Sequence, residues 1–384
     1  MKSAKLALLM LMSFFTISLL GQAEKDVFSE KFIKKQMIMT ADWQFENLFT
    51  ETPLSDGGIE PVPETGWIRG AFYTGVMALY KTTGNEKYLN KMLEWGEGNN
   101  WQPGKRERHA DDHVVGQTYL DLFFIKKDKA MIAPLKKRFD KMIKDPKWGP
   151  VAGWTKKWNW SWCDALFMAP PAMVKMSVAT GDEKYIDLMN RMWWNTYDHL
   201  YSKKYHLFYR DDNYISHKDG SQVKTKHGKP VFWGRGNGWV MGGLVRVLDH
   251  LSKDYKDYER YVDLYKEMSE KIASLQGKDG LWRSSLLDPK EFPQPETSCS
   301  GFFCYALTWG INNDLLCKDE YLPVVKQAWV GLNGAMHPNG KLGWVQQVGH
   351  DPRSVSKDDT MEYGTGAFLL AGSEIIKLDL QDDQ

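Results

Sequence analysis

The chain lacks the features that mark a disulfide scaffold, a metalloprotein or a nucleic-acid binder. Its 384 residues hold only four cysteines, Cys163, Cys299, Cys304 and Cys317, too few to staple a fold of this size. No Cys-x-x-Cys pair or Cys/His cluster has metal-ligand spacing, so no metal and no cofactor is expected. The four thiols read as small buried hydrophobes. A formal charge of +1 excludes the basic field that nucleic-acid partners require. Also missing are a Gly-x-Ser-x-Gly elbow, a Walker loop, a His-Glu-x-x-His helix and a dinucleotide fingerprint. No Pro/Gly/Ser-rich linker or low-complexity tract divides the chain.

Long apolar runs are scarce as well. The one example, Leu6 to Leu20, follows Lys2 and Lys5 and precedes Gly21-Gln22-Ala23, which is the layout of a secretory signal peptide with a small-x-small cleavage site. Residues 1–23 are therefore expected to be removed, leaving 24–384 as a single domain that is secreted or periplasmic. No second stretch approaches the ~20 apolar residues of a membrane span, so no membrane insertion is expected after cleavage.

What the chain has in abundance is tryptophan, 17 residues, and helical periodicity. Core packing rarely uses so many indoles, whereas sugar-binding clefts do. Val240, Leu244, Val247, Leu248 and Leu251 follow a 3.6-residue stripe, as do Leu322, Val325, Ala328, Trp329 and Leu332. Similar patterns cover 28–47, 67–81, 86–96, 113–125, 130–143, 164–179, 184–199, 258–275, 299–311 and 361–378. The sum is about a dozen helices, an all-α chain. A corner also repeats: Thr83-Gly84-Asn85-Glu86-Lys87-Tyr88-Leu89 returns as Thr180-Gly181-Asp182-Glu183-Lys184-Tyr185-Ile186. In each copy Gly ends one helix and Asn or Asp caps the next. Repeated hairpins of this size suggest a closed toroid around a cleft; a helical solenoid would repeat more regularly and at a shorter period. Residues 205–210 alternate like a short strand. They precede a basic loop, 216–229, that reads as solvated surface or as a contact to an anion on a substrate.

Three segments could carry chemistry. Phe232-Trp233-Gly234-Arg235-Gly236-Asn237-Gly238-Trp239 combines aromatic faces, a planar cation and glycines ahead of the 240–251 stripe, a composition suited to a flat, hydroxylated, anionic ligand. His109-Ala110-Asp111-Asp112-His113 places an Asp pair where a helix begins, and helix capping alone could explain one of the two. Asp164 opens another apolar helix beside Trp158, Trp160 and Trp162. A carboxyl among large aromatics is partly desolvated and can hold a proton near neutral pH, as a general acid must.

With these residues in order, the chain resembles the unsaturated uronyl hydrolases of glycoside hydrolase family 105, relatives of family 88. The resemblance spans essentially all of 24–384 and rests on Trp67-Ile68-Arg69-Gly70-Ala71-Phe72, Asp111-Asp112 before Gly116, Asp164-Ala165-Leu166-Phe167-Met168-Ala169-Pro170, Trp233 to Trp239, Glu296-Thr297-Ser298 and Gly364 to Ala371. It implies an (α/α)6 barrel of six helical hairpins. The implied substrate is an oligosaccharide released by a polysaccharide lyase, with a 4,5-unsaturated uronic acid at its non-reducing end. The reaction hydrates the C4–C5 double bond, so the carboxylate-distance rule for retention or inversion does not apply. The resemblance makes Asp164 the principal acid/base and Asp112, four residues before Gly116, a second carboxylate, with Asp111 the alternative. It makes Arg235 a clamp for the uronate and gives Trp233, Trp239, Trp67, His113 and Asn237 to the substrate. Trp239 also begins the helix stripe and is expected to serve the core as much as the cleft. Pectin-acting members have a histidine near where Phe208-Tyr209-Arg210 stands here. With its permanent charge Arg210 could read a sulfate, which tilts the expected substrate from rhamnogalacturonan toward ulvan. A non-catalytic oligosaccharide-binding protein and a polysaccharide lyase are the alternatives.

Overall fold

The computed structural model describes residues 27–53, 57–147, 151, 159–378 and 380. The expected signal peptide and Trp158 lie outside them. Among the described residues thirteen α-helices follow one another: α1 Glu30–Glu46, α2 Trp67–Thr83, α3 Glu86–Gly98, α4 Val115–Lys126, α5 Ala133–Lys144, α6 Ala165–Met168, α7 Pro170–Thr180, α8 Lys184–Leu200, α9 Gly234–Leu248, α10 Tyr258–Ala273, α11 Thr297–Asn312, α12 Lys318–Gly334 and α13 Glu362–Ile375.

The helices alternate between two rings. Helices α2, α4, the α6–α7 pair, α9, α11 and α13 pack each on the next, and α13 closes back on α2. Helices α1, α3, α5, α8, α10 and α12 lie outside them. This is an (α/α)6 barrel, and its closure sets aside the solenoid. Composition sorts the rings. Every residue of α9 and α13 is buried, and so is α11 from Thr297 to Ile311, as expected of helices apolar all round. The outer α10 buries one stripe, including Tyr258, Tyr261, Val262, Tyr265, Met268 and Ile272. Neighbouring inner helices touch through glycine. A Cβ on Gly75 of α2 would stand 2.5 Å from the Gly366 carbonyl oxygen of α13, so no larger residue fits that seam.

The repeated corner forms as read. Gly84 and Gly181 end α2 and α7 in the left-handed conformation, at φ 65° and 70°. Asn85 and Asp182 then accept the Lys87 and Lys184 N–H, each at 3.1 Å.

Several expectations need correction. The helix expected over 164–179 is broken into α6 and α7, because Pro170 and Pro171 lack the N–H that would continue it. The 205–210 strand shrinks to β4, Leu207–Phe208, paired antiparallel with β3, Tyr201–Ser202. A hairpin of β1, Glu51–Pro53, and β2, Ile59–Pro61, was not anticipated. Gly234 to Trp239 form the first turns of α9 rather than a loop ahead of it. Their glycines serve packing: a Cβ at Gly234, Gly236 or Gly238 would press on the Arg283 carbonyl, the Cys163 sulfur or the Cys299 backbone. Cys317 is exposed at the start of α12, while the other three cysteines are buried and free. Most indoles sit in the core, Trp160, Trp193, Trp282 and Trp329 among the most deeply buried. Among the described residues no helix is long and apolar enough to cross a membrane.

Candidate active site

A cavity of about 690 Å³ opens at the end of the barrel where inner helices begin, within the range of small-molecule sites. Helix starts bring Gly66, Trp67 and Ile68 (α2), Asp111 and Asp112 (the 3-10 turn before α4), Asp164 and Met168 (α6) and Trp233, Arg235 and Trp239 (α9) to its wall. Neither Gly66 nor Trp233 caps its helix with a side chain, so the positive ends of α2 and α9 add to a field that favours an anion. Helices α11 and α13 begin on buried acids with other duties. Glu296 accepts the Ser298 and Cys299 N–H of α11, and Glu362 is paired with Arg69.

Asp164 carries the strongest case for chemistry. It starts α6 without capping it, which removes the bland explanation for an acid there. The only side-chain hydrogen bond it receives among the described residues is from the Cys163 thiol, 3.3 Å to Oδ1. Burial pushes its carboxyl above the ordinary range, while Arg210, the Cys163 thiol and Arg235 pull against that shift.

The two carboxylates of the Asp pair are not equivalent. Both line the cavity, but Asp112 is gripped by Arg106. The Arg106 backbone N–H donates to Oδ2, and Nε and Nη2 donate to Oδ1 at 3.1 and 2.7 Å. Asp111 keeps only looser contacts, to Arg106 at 3.8 Å and His109 at 3.5 Å. Burial pushes it up to about 7; Arg106 opposes this, and the negative neighbours Asp164 and Asp112 add to it. Neither Asp is a side-chain cap: the 3-10 turn has none at His109, and α4 has none at Val114.

Arg235 reaches the wall, but not as an open clamp. It is stacked between Trp233 and Tyr363, 4.4 and 4.8 Å from their rings. Its Nη1 and Nη2 donate to the Gln346 and Gln347 carbonyls at 2.5 and 3.0 Å. Trp233 Nε1 adds a bond to Gln346 Oε1 at 3.1 Å. The pair thus staples the segment that carries Val348, Gly349 and His350 to the cavity. Arg210 stands on the wall beside Asp164 and is paired with Asp211 at 2.6 Å. Trp67 is half-buried and stacks on Tyr363 at 5.3 Å. Trp239 packs on Phe302 and Phe167 at 4.6 and 4.9 Å, so it is both floor and core.

Two expected substrate contacts do not reach the cavity. His113 is fully buried against Phe139, with Nε2 2.9 Å from the Glu107 carbonyl, and burial drives its pKa down to about 4. It is a neutral core histidine. Asn237 spends its amide on backbone, accepting from Phe208 N–H at 2.8 Å and donating to the Phe208 and Trp233 carbonyls. It ties β4, and with it the approach to Arg210, onto α9. The basic loop 216–229 contributes nothing to the wall; His227 is paired with Asp288, and Lys229 donates to the Leu287 carbonyl. Wall residues that sequence reasoning missed include Thr52 and Glu60 of the β1–β2 hairpin, Lys105, Arg106, His109, Trp162 and His350. Arg106 and His109 lie just ahead of the Asp pair and Trp162 beside Asp164, but the hairpin and His350 have no local signal. Among the described residues no group of three His, Cys, Asp or Glu could hold a metal ion.

A tryptophan-walled, acid-bearing cavity at the mouth of an (α/α)6 barrel is suited to an enzyme that acts on acidic saccharides. Residues 36–379 match the model of Glycosyl Hydrolase Family 88, and the chain belongs to that family. It is 39% identical over 356 residues, 90% of this chain and 91% of the other, to an unsaturated 3S-rhamnoglycuronyl hydrolase of Formosa agariphila. The solved structure of a glycosyl hydrolase family 88 protein from Bacteroides vulgatus superposes with a TM-score of 0.81 at 29% identity, covering 91% of this chain and all of that one. A structure called a polysaccharide lyase superposes with a TM-score of 0.79, also at 29% identity, covering 91% and 97%.

Proposed function

We propose that this hydrolase removes the 4,5-unsaturated uronic acid from the non-reducing end of lyase-generated oligosaccharides, and that its preferred substrates are unsaturated glucuronyl-rhamnose units of the ulvan type. The observation that carries the reading is Asp164: a buried carboxyl with a raised pKa, on the wall of the cavity, beside a cation and between aromatic walls. The name of the Formosa agariphila relative supports the rhamnose-linked substrate over a pectic one. The amino-terminal segment 1–23 is proposed to export the enzyme, which places it where polysaccharide lyases release such fragments.

In this reading protonated Asp164 delivers its proton to C4. The resulting carboxylate takes a proton from the water that bonds to C5, so the acid is regenerated. The C5 hemiketal opens, O5 is freed, and the hemiacetal left at C1 expels the neighbouring sugar as an alcohol. Arg210, paired with Asp211 through Nη1 and standing beside Asp164 on the wall, is the wall cation for the uronate carboxylate in preference to Arg235, whose two Nη groups both serve carbonyls. Asp111, close enough to feel the Asp164 charge, is the second working carboxylate. Asp112 holds Arg106 against the wall.

The test is to follow the ultraviolet absorbance of the conjugated enol ether on a panel of defined unsaturated disaccharides. Decay on glucuronyl-rhamnose sulfate, lost in Asp164→Asn, is the expected result. No decay on ulvan, pectic or glycosaminoglycan fragments overturns it. The similarity to a structure called a lyase gives the second reading, which requires absorbance to rise on intact polysaccharide. Saturable binding without turnover would identify a non-catalytic sugar-binding protein.

A further inference from the structure

Cys163 is fully buried, immediately before Asp164, and its surroundings fix it on two sides. Its backbone N–H donates to the Arg210 carbonyl at 2.8 Å, which aligns the Arg210 segment with the start of α6. Its sulfur lies against α9, where a Cβ at Gly236 would stand 3.0 Å away. Among the described residues the thiol's side-chain hydrogen-bond partner is Asp164 Oδ1, at 3.3 Å. Sulfur accepts hydrogen bonds poorly and the thiol keeps its proton in so buried a place. The bond therefore runs one way, from S–H to carboxylate.

We propose that Cys163 is a positioning residue for the acid/base carboxylate: its thiol donates to Asp164 Oδ1, holds the carboxyl in one rotamer, and leaves Oδ2 as the oxygen that exchanges a proton in the cavity. The inference rests on Asp164 being the acid/base. It gives a reason for a cysteine in a chain with so few. A small aliphatic residue would fill the same volume but would leave Oδ1 buried without a donor. Gly236 belongs to the same device, since any side chain there would displace the sulfur. The charged and titratable groups that face Asp164 are Arg210 and Asp211 from the segment after β4, Arg235 from α9, Asp111 from the 3-10 turn and Cys163 itself. A thiol donor favours the carboxylate form, so Cys163 works with the two arginines against burial.

Cys163→Ala and Cys163→Ser separate this from packing. In Cys163→Ala, the limb of the pH–kcat profile that reports Asp164 should move upward by roughly half a unit to one unit, with a several-fold loss in kcat. Cys163→Ser supplies a hydroxyl donor in nearly the same volume; its limb should return to the parent position or pass below it. Profiles that superimpose for parent and Ala variant overturn the proposal, as does a Ser variant that behaves like Ala while staying folded. A readout independent of turnover is the infrared S–H stretching band, assigned to Cys163 by its loss in Cys163→Ser. At a pH above the Asp164 limb, where the parent carboxyl is ionised, that band should shift to higher frequency in Asp164→Asn, and a band unmoved at that pH refutes the hydrogen bond. Full activity in Asp164→Asn instead removes the reading beneath the proposal, so the two failures are told apart.

Discussion

Arg106 grips Asp112 through Nη2 at 2.7 Å and Nε at 3.1 Å, and it leaves the adjacent Asp111 with nothing closer than 3.5 Å among its ion pairs. A carboxylate held by a charge-assisted fork is committed to its partner. The neighbour that is not so held is the one able to exchange protons. Asp111→Asn should therefore lower kcat by about 10²-fold or more, in keeping with loss of a general acid/base group. Asp112→Asn should act mainly through Arg106 and the 104–106 segment, raising KM more than it lowers kcat. Steady-state kinetics on one unsaturated disaccharide decide the matter; the reverse pattern assigns the chemistry to Asp112.

The same carboxyl gives a stability signature. Burial pushes the Asp111 carboxyl up to about 7 in the folded protein, above an ordinary carboxyl. Ionising it in place is thus costly. That cost is absent below about pH 4, where the group is protonated both folded and unfolded, and it grows until the pH passes the folded value. Asp111→Asn removes it. The variant should match the parent near pH 4 and exceed it by roughly 1–4 kcal/mol at pH 8, a generous range because the side chain keeps some solvent contact. Thermal unfolding at the two pH values measures this, and a difference that does not change with pH contradicts it.

Arg235 is expected to act through the segment it holds. Arg235→Lys keeps the charge but cannot donate to the Gln346 and Gln347 carbonyls as a fork. The loosened 346–350 segment should raise KM several-fold, with a smaller change in kcat. Arg210→Lys, which alters the cation beside Asp164, should act on kcat and move the pH profile. If instead Arg235→Lys moves the profile and leaves KM alone, Arg235 acts on the Asp164 carboxyl directly and not through the 346–350 segment.

How far the site could be read from the chain follows from geometry. Asp164, Trp67, Trp233, Trp239 and Arg210 all reach the cavity, and most of the helices were visible in their hydrophobic periodicity. Adjacency misled at His113 and Asn237. Successive residues turn by about 120° in a 3-10 turn, so His113 points away from its neighbour Asp112 into the core; they turn by about 100° in an α-helix, so Asn237, two residues past Arg235 in α9, faces β4. The glycines of the 234–238 motif suggested close approach to a ligand, yet they make room for Cys163, Arg283 and Cys299 in neighbouring elements. Thr52, Glu60 and His350 were invisible for another reason. They arrive on connections far apart in sequence, with no periodicity or motif to mark them.

At the other end of the ring a single carboxylate ties four consecutive inner elements together. Asp121 of α4 accepts from Lys175 of α7 and Lys81 of α2, each at 2.8 Å, and faces Arg246 of α9 at 3.9 Å. Burial alone would push its carboxyl up, but the three cations outweigh burial and hold it well below the ordinary range. Its contribution is therefore present above the ordinary carboxylate pKa and is lost as the pH falls toward the folded value. Removing one partner of a buried pair strands the other's charge. Asp121→Asn leaves the Lys175 ammonium buried beside Arg246, and should cost about 3–5 kcal/mol in urea unfolding at neutral pH. Lys175→Met should cost less, because Asp121 keeps Lys81, whose amine stays in contact with water. The double variant should recover part of the Asp121→Asn loss, since no lysine is then stranded. The penalty of Asp121→Asn should shrink as the pH falls, because the parent loses the same ion pairs by protonation. An Asp121→Asn variant within about 1 kcal/mol of the parent at neutral pH would show that the ring is closed by helix packing alone, with the buried charges contributing nothing net.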